Sequence, residues 1–263
     1  MFLLKSQEFL KIKISDNSMK KQNYIFINKA LFFPKQGILA IGDLHLGYEY
    51  MLQQLGILIP ETQIKELIKD LNKIFQEIKN KKLKLNKIVF IGDIKHSFGF
   101  EWQEKNYFNK VLEFVKKYVK KQDIILIKGN HDTIDYSFGN MKSYYIQDDI
   151  IFVHGHKSFP KLFDKKIKTI IMGHIHPSVI LSDKQNIKRE KYKCFLIGKF
   201  KSKEVIILPS FLNIAEGMTI NEYDSGYEDF FSIIPKKSLM NFKVYIIGED
   251  EVYGFGKIKD LTK

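Results

Sequence analysis

Two β-sheets packed face to face with helices outside them are the α/β architecture this sequence predicts, and three observations carry the prediction. Short apolar runs that stop at a glycine or a polar residue recur at 38–45 (Ile-Leu-Ala-Ile-Gly-Asp-Leu-His), 88–93 (Ile-Val-Phe-Ile-Gly-Asp), 124–132 (Ile-Ile-Leu-Ile-Lys-Gly-Asn-His-Asp), 150–156 (Ile-Ile-Phe-Val-His-Gly-His) and 170–176 (Ile-Ile-Met-Gly-His-Ile-His). Each reads as a buried strand whose polar residues emerge at its carboxyl end, where open α/β sheets bind ligands. Amphipathic helical segments separate the first three runs, which is the order of a parallel βαβ sheet. From residue 143 on, short strands follow one another with little helix between them, which predicts a second, largely antiparallel sheet.

Before Pro34 the chain reads as two or three short strands, at 10–14, 24–27 and 30–33, with Asp16-Asn17-Ser18 as a turn and the group forming a sheet edge. Residues 47–56 fit a short helix or an ordered loop. Pro60 opens a helix in which Ile64, Leu67, Ile68, Leu71, Ile74, Phe75 and Ile78 recur at helical spacing. A further helix over 101–121, apolar at Trp102, Phe108, Val111, Leu112, Val115 and Val119, leads into the strand at Ile124. Later strands are expected at 150–153, 169–172, 179–181, 192–200, 204–208 and 243–247, with 183–193 as a charged hairpin tip. Residues 210–238 show no clean period, and long irregular loops in compact domains are usually functional.

A chain of 263 residues can bury a sizeable core, and the five polar strand ends span Asp43 to His176 without a proline, glycine or serine-rich linker, which predicts one domain over 1–263. The net charge of +13 and pI near 9.4 fit a polyanionic partner. Genomic composition competes with that explanation, because lysine shares A/T-rich codons with the abundant Ile, Phe, Asn and Tyr. Of 43 basic residues only Arg189 is an arginine, so bidentate phosphate forks are scarce. Cys194 is the single cysteine, which excludes an intramolecular disulfide and a thiolate-built zinc cluster. The apolar start is broken by Lys5, Gln7 and Glu8, too short for a signal peptide, and no run approaches the ~20 apolar residues of a membrane span. The expectation is a soluble, cytoplasmic protein without a membrane partner; the sequence leaves the oligomeric state open.

All seven histidines, His45, His96, His131, His154, His156, His174 and His176, lie within or beside the five runs. One histidine is ordinarily a satisfied core or surface residue; seven gathered at strand ends are not. With Asp43, Asp93 and Asn130 they offer imidazole, carboxylate and amide, a mixture that suits Mn, Fe, Co, Ni or Zn better than Ca or Mg. So many converging ligands exceed what one first-row ion takes, and two ions about 3.5–4 Å apart would clamp a phosphoryl group and supply the positive charge that arginines do not.

Asp43-x-His45, Gly92-Asp93, Gly129-Asn130-His131-Asp132, His154-Gly155-His156 and Gly173-His174-x-His176 resemble, in order and in full, the motifs of the calcineurin-like metallophosphoesterase superfamily, over residues 38–181. The forms Gly42-Asp43-Leu44-His45-Leu46-Gly47 and Gly92-Asp93-x-Lys95-His96 look most like the archaeal phosphoesterases related to SbcD-type nucleases. The resemblance implies a four-layer α/β/β/α sandwich with two packed mixed sheets. It implies one metal on Asp43, His45, Asp93 and His176 and a second on Asp93, Asn130, His154 and His174, with Asp93 bridging. His131 is then a proton donor beside the substrate, and Asp132 holds its ring in orientation. His96 stands behind the ligands, orienting more than ligating, and His156 stands either behind them or on the substrate side. Lys95 is expected to be exposed.

The implied activity is that of a dinuclear phosphoesterase carrying two divalent transition-metal ions per chain, with Mn the first choice and Fe, Ni, Co or Zn as alternatives. It would hydrolyse a phosphodiester bond by attack of a metal-bridging hydroxide, and a DNA or RNA nuclease is one outcome. The shared metal centre does not choose the phosphate-ester substrate, so a small-molecule phosphatase or nucleotide phosphodiesterase is the alternative. A non-catalytic scaffold of the same fold is the alternative of another class, opposed by the completeness of the motifs. Nucleic acid, as a partner, would be held through its backbone, with the basic tip at 184–193 and the loop at 210–238 as groove walls.

Overall fold

The computed structural model describes residues 23–99, 101–133, 140–183, 187–222, 232–249 and 251–262. The strand expected at 10–14 and the turn at Asp16-Asn17-Ser18 lie outside the described residues, as do 184–186 of the basic tip and 223–231 of the long loop.

The first sheet has the order β1 (Ile25–Ile27), β2 (Ala30–Phe33), β3 (Ile38–Ile41), β4 (Lys87–Phe90) and β5 (Ile124–Leu126). Antiparallel hairpins join β1, β2 and β3, and β3, β4 and β5 run parallel. Strand alternation divides its side chains between two cores. Leu31, Phe33, Ile38, Ala40, Val89 and Ile125 meet Phe152, Ile171, Phe195 and Ile206 of the second sheet. Ala30, Phe32, Leu39, Ile41, Ile88 and Phe90 face Leu67, Leu71, Ile74, Phe108 and Val111 on the helices. Both faces are covered, which is why these strands are apolar at every position but Lys87, the half-buried first residue of β4.

Of three helices, α1 (Tyr48–Gln54), α2 (Gln63–Asn80) and α3 (Trp102–Val115), the second and third cover that outer face. The second starts three residues after Pro60, later than its pattern predicts. Its beginning is set from outside, because the Glu49 carboxylate of α1 accepts the Thr62 N–H (2.7 Å), the Thr62 hydroxyl (2.9 Å) and the Gln63 N–H (2.8 Å). A carboxylate there satisfies orphan donors and complements the helix dipole. The third helix stops at Val115 instead of continuing to 121, since past it only Val119 finds a buried place.

The second sheet is mixed. β6 (Tyr144–Gln147), β7 (Ile150–Val153), β8 (Thr169–Met172), β9 (Pro177–Ser182), β10 (Arg189–Phe200), β11 (Lys203–Ile207) and β12 (Met218–Thr219) lie in the order β12-β9-β10-β11-β8-β7-β6. Within it β7, β8 and β11 are parallel, repeating the arrangement of β3, β4 and β5. The long strand β10 passes from β9 at its start to β13 (Lys243–Ile247) at its end, and β14 (Val252–Lys257) closes that edge. The strands the sequence reading missed, β6, β12 and β14, are half-buried throughout and so lack the apolar signal that marks the others. The outer face is covered by single turns, with Leu162, Leu239 of α4 (Lys236–Leu239) and Ile258 of α5 (Ile258–Leu261) packing on Val153, Met172, Leu196 and Ile207. Among the described residues no helix is long and apolar enough to cross a membrane.

Candidate metal centre

The loops after β3, β4, β5, β7 and β8 leave carboxyl ends of parallel strands, and they converge between the two sheets. The first two are zipped together: Leu44 and His45 donate their N–H groups to the Asp93 carbonyl (3.1 and 2.9 Å), Leu46 donates to Ile94 (2.9 Å), and His96 donates to Leu46 (3.0 Å). Behind them the Asp43 carbonyl accepts the Phe211 N–H (2.9 Å) and the Ser210 hydroxyl (3.2 Å).

Two glycines of the motifs are needed for close approach. A Cβ on Gly129 would overlap the Asp93 carboxylate and amide, and one on Gly173 would overlap the Asp43 carboxylate. Four candidate ligands, by contrast, carry side chains in the left-handed region: His45 (φ 44°), Asp93 (φ 44°), His174 (φ 69°) and His176 (φ 47°). Such conformations cost on the order of 1–3 kcal/mol each and persist where the surroundings over-determine them, typically at functional sites.

The donor atoms fall into groups that could each hold a metal ion. Asp43, His45, Asp93 and His176 form one; Asp93, His154 and His174 form a second; within each, all donor atoms lie within 4.8 Å of one another. Asp93 belongs to both. The Nε2 atoms of His45 and His176 face each other at 3.2 Å, and His176 Nε2 is 3.3 Å from Asp43 Oδ1. His154 Nε2 lies 2.8 Å from Asp43 Oδ1 and 3.3 Å from Asp93 Oδ2. Asn130, expected beside His154 and His174, has a buried Oδ1 with no hydrogen-bond partner among the described residues, which is what an amide oxygen awaiting a cation looks like. The residues present therefore fit two transition-metal ions. His45 also groups with His96 and His131 within the same 4.8 Å limit, so His96 stands nearer to ligating distance than an orienting role requires.

The electrostatics describe a site short of positive charge. Burial disfavours charge on His154, but the Asp93 and Asp43 carboxylates outweigh it and raise its pKa to about 10. Burial opposes ionisation of Asp43 as well, and His176 and His154 overcome it, holding the carboxyl well below its usual range. His45 goes the other way, down to about 3, through burial and the nearby His176. His156 Nδ1 sits 2.9 Å from His154 Nδ1, while His154 Nε2 faces the carboxylates.

Three sequence expectations need correction. Asp132 does not hold the His131 ring; its buried carboxylate accepts the N–H groups of Gly129 (2.9 Å), Ile94 (3.0 Å) and Lys95 (3.3 Å), tying the second loop to the third. The His131 ring is instead placed by the His96 carbonyl at its Nδ1 and by the stacked ring of Phe98, 4.4 Å away at 22°. Lys95 is buried, not exposed, and its ammonium donates to the carbonyls of Ser97 and Gly99 (2.8 Å to the latter). Lys193 of the expected basic tip is likewise withdrawn, donating to the carbonyls of Ser210 (3.1 Å) and Leu212, while Arg189 pairs with Glu222. Burial lowers the Lys193 pKa to about 7, assisted by Lys29.

Residues that position the site without belonging to a motif escaped the sequence reading. Gln63, the first residue of α2, donates to the carbonyls of His45 (2.8 Å) and Leu44 (3.3 Å) and accepts the Gly47 N–H (3.1 Å), so one buried amide fixes the whole first loop. Glu104 of α3, fully buried, accepts the N–H groups of His96 (3.1 Å) and Ser97 (2.7 Å). The only signal available was a polar residue at a helix start, which is ordinarily a solvated one.

The family model for calcineurin-like phosphoesterase matches residues 37–195. No curated protein sequence matches the chain. Among solved structures, a nuclease MPE of Pseudomonas putida has a TM-score of 0.57, with 19% identity over 89% of this chain and 100% of the other. Protein AQ665 of Aquifex aeolicus has a TM-score of 0.34 at 19% identity, over 53% of this chain and 78% of its own. Vps29 of Entamoeba histolytica, complexed with zinc, has a TM-score of 0.37 at 12% identity, over 83% and 96%. The first of these is a likeness of fold and agrees with the two packed mixed sheets.

Proposed function

The chain belongs to the calcineurin-like phosphoesterase family, and from that premise we propose that it hydrolyses phosphodiesters using two divalent transition-metal ions, Mn foremost. The observation that carries the reading is the sharing of Asp93 between two donor groups; the buried Asn130 Oδ1, without a hydrogen-bond partner among the described residues, supports it. In this reading Asp43, His45, Asp93 and His176 hold one ion and Asp93, Asn130, His154 and His174 the other. Ions bound there supply Lewis acidity, which activates water and offsets charge on the phosphoryl oxygens.

The chain's own part in the chemistry centres on His131. A carbonyl oxygen only accepts, so the His96 carbonyl keeps a hydrogen on His131 Nδ1, and it is the doubly protonated ring that can give the Nε2 proton to the departing oxygen, returning to the neutral Nδ1–H form. The His131 N–H, donated to Asp93 Oδ1 at 2.9 Å, ties that proton donor to the shared carboxylate. Asp132 has a positioning role through the loop backbone, and His156 orients His154. His96, close to His45 and His131, is the residue whose removal separates orientation from ligation.

The excess of lysine over arginine favours a nucleic acid held by point charges on its backbone, and the fold likeness to a nuclease points the same way. The deciding experiment is turnover with Mn on bis(4-nitrophenyl) phosphate, 4-nitrophenyl phosphate, cyclic nucleotides and single- and double-stranded DNA. Faster hydrolysis of diesters than of the monoester is expected. Hydrolysis of the monoester alone would replace this reading with a small-molecule phosphatase, and no turnover on any of them would refute a phosphoesterase. Titrating labelled DNA across salt in metal-free buffer checks the partner: backbone binding weakens with a logarithmic slope of about −0.9 per phosphate neutralised on duplex DNA.

A further inference from the structure

The turn at 97–99 is held more firmly than a surface turn requires. Lys95, 2% exposed, passes beneath it and donates to the carbonyls of Ser97 and Gly99, one on each side of Phe98. Fully buried Glu104 accepts the N–H groups of His96 and Ser97. The Thr133 hydroxyl donates to the carbonyl of Phe98 itself. Burying an ammonium and a carboxylate is costly unless they are hydrogen-bonded, and here the Lys95 ammonium and one oxygen of Glu104 bond to the backbone of residues 96–99, while the other Glu104 oxygen has no partner among the described residues. What that turn presents is Phe98, 60% exposed. Its ring stacks on His131 with centroids 4.4 Å apart and planes 22° from parallel, and His131 is itself stacked on His96 at 5.3 Å and 26°. A large aromatic ring left mostly in water gains little for the core, so the network beneath it is not explained by burial. It is explained if the ring is a contact surface: a rigid aromatic face costs little conformational entropy on binding.

The position of the ring selects the partner. Phe98 lies against the residue assigned to the leaving oxygen, so a group stacked on it is carried by the leaving side of the diester. Planar groups on that side of a natural phosphodiester are nucleobases, and unpaired bases stack on aromatic side chains whatever their sequence. We propose that Phe98 is a stacking platform for the nucleobase of the leaving nucleoside in single-stranded nucleic acid. The proposal rests on the phosphodiesterase reading above. It adds a base-binding subsite that reads the presence of a base and not its identity, in keeping with a chain almost without arginine.

The test compares kcat/KM with Mn on dithymidine monophosphate and on its two abasic analogues, each lacking one base, with bis(4-nitrophenyl) phosphate as a control diester. The intact chain should disfavour the analogue lacking the leaving-side base by about 5- to 150-fold, the worth of one base–aromatic stack. Phe98→Leu should bring that ratio to near one, and Phe98→Trp should keep it. If Phe98→Leu instead lowers all three dinucleotides by one factor and leaves the ratio unchanged, the ring only braces His131 and the platform is overturned. If bis(4-nitrophenyl) phosphate is hydrolysed and dithymidine monophosphate is not, the platform falls while the phosphodiesterase stands. No hydrolysis of either diester removes both.

Discussion

The two sheets build their halves of the site by different means. Loops of the first sheet are clamped by side chains that are not candidate ligands: Gln63 on the backbone of Leu44, His45 and Gly47, Asp132 on Ile94, Lys95 and Gly129, and Glu104 on His96 and Ser97. Loops of the second sheet are held by backbone bonds, such as Gly173 N–H to the His154 carbonyl (3.1 Å) and Met218 N–H to the His176 carbonyl (2.8 Å), and by a candidate ligand. The His174 N–H points at the Asp43 carboxylate, 3.1 and 3.2 Å from its two oxygens. The first half is therefore organised mainly by side chains other than its candidate ligands, the His131 N–H on Asp93 Oδ1 apart, whereas the second leans on the charge of a ligand belonging to the first.

The comparison breaks most completely at Asp93, which both donor groups share. Asp93→Asn should take bound metal from the proposed two ions per chain toward none and turnover to background. Elemental analysis after reconstitution and dialysis reads this, and two retained metals with full activity would sink the assignment. Next in size is His131→Asn, confined to the first half: both metals should stay while turnover on esters with poor leaving groups falls by about 10²- to 10⁴-fold. The loss should shrink with 4-nitrophenolate, which departs without a proton; equal losses on both kinds of ester would count against proton donation.

Smaller and more diagnostic is Gln63→Leu, which removes the clamp and no ligand. Loss of such supporting contacts typically weakens a metal by about 10- to 100-fold. The effect should appear in the affinity of one ion only, by competition with a chelator, and weakening of both equally would show that the halves are not separable. The smallest effect concerns the second half in the metal-free chain. The His154 pKa is raised from 6.5 to about 10 when folded, so between those values the native state holds a proton that the unfolded state has lost. Its contribution is complete below about pH 6.5 and is lost as pH rises through about 10, so metal-free stability should decline across that window. Urea midpoints against pH read the slope, which His154→Gln should flatten. Metal must displace the same proton, so affinity should rise with pH over that range.

What the sequence by itself determined is the set of elements whose signal is local. The strands β3, β4, β5, β7 and β8 announce themselves because a sheet covered on both faces must be apolar at successive positions, and their glycine-terminated ends could be read as ligand loops for the same reason. The convergence of all seven histidines on one region was legible from their position relative to those strands. Tertiary structure alone decided the rest. Strands β6, β12 and β14 are half-buried edge pieces stabilised by pairing, and pairing leaves no period in the chain. The start of α2 depends on Glu49, thirteen residues before Thr62, and the first loop depends on Gln63, eighteen residues after His45. Lys95 was misread because a charged side chain is ordinarily solvated, and Asp132 because the resemblance implied a carboxylate orienting His131; only the packing of neighbouring loops shows which backbone groups such side chains must satisfy once buried.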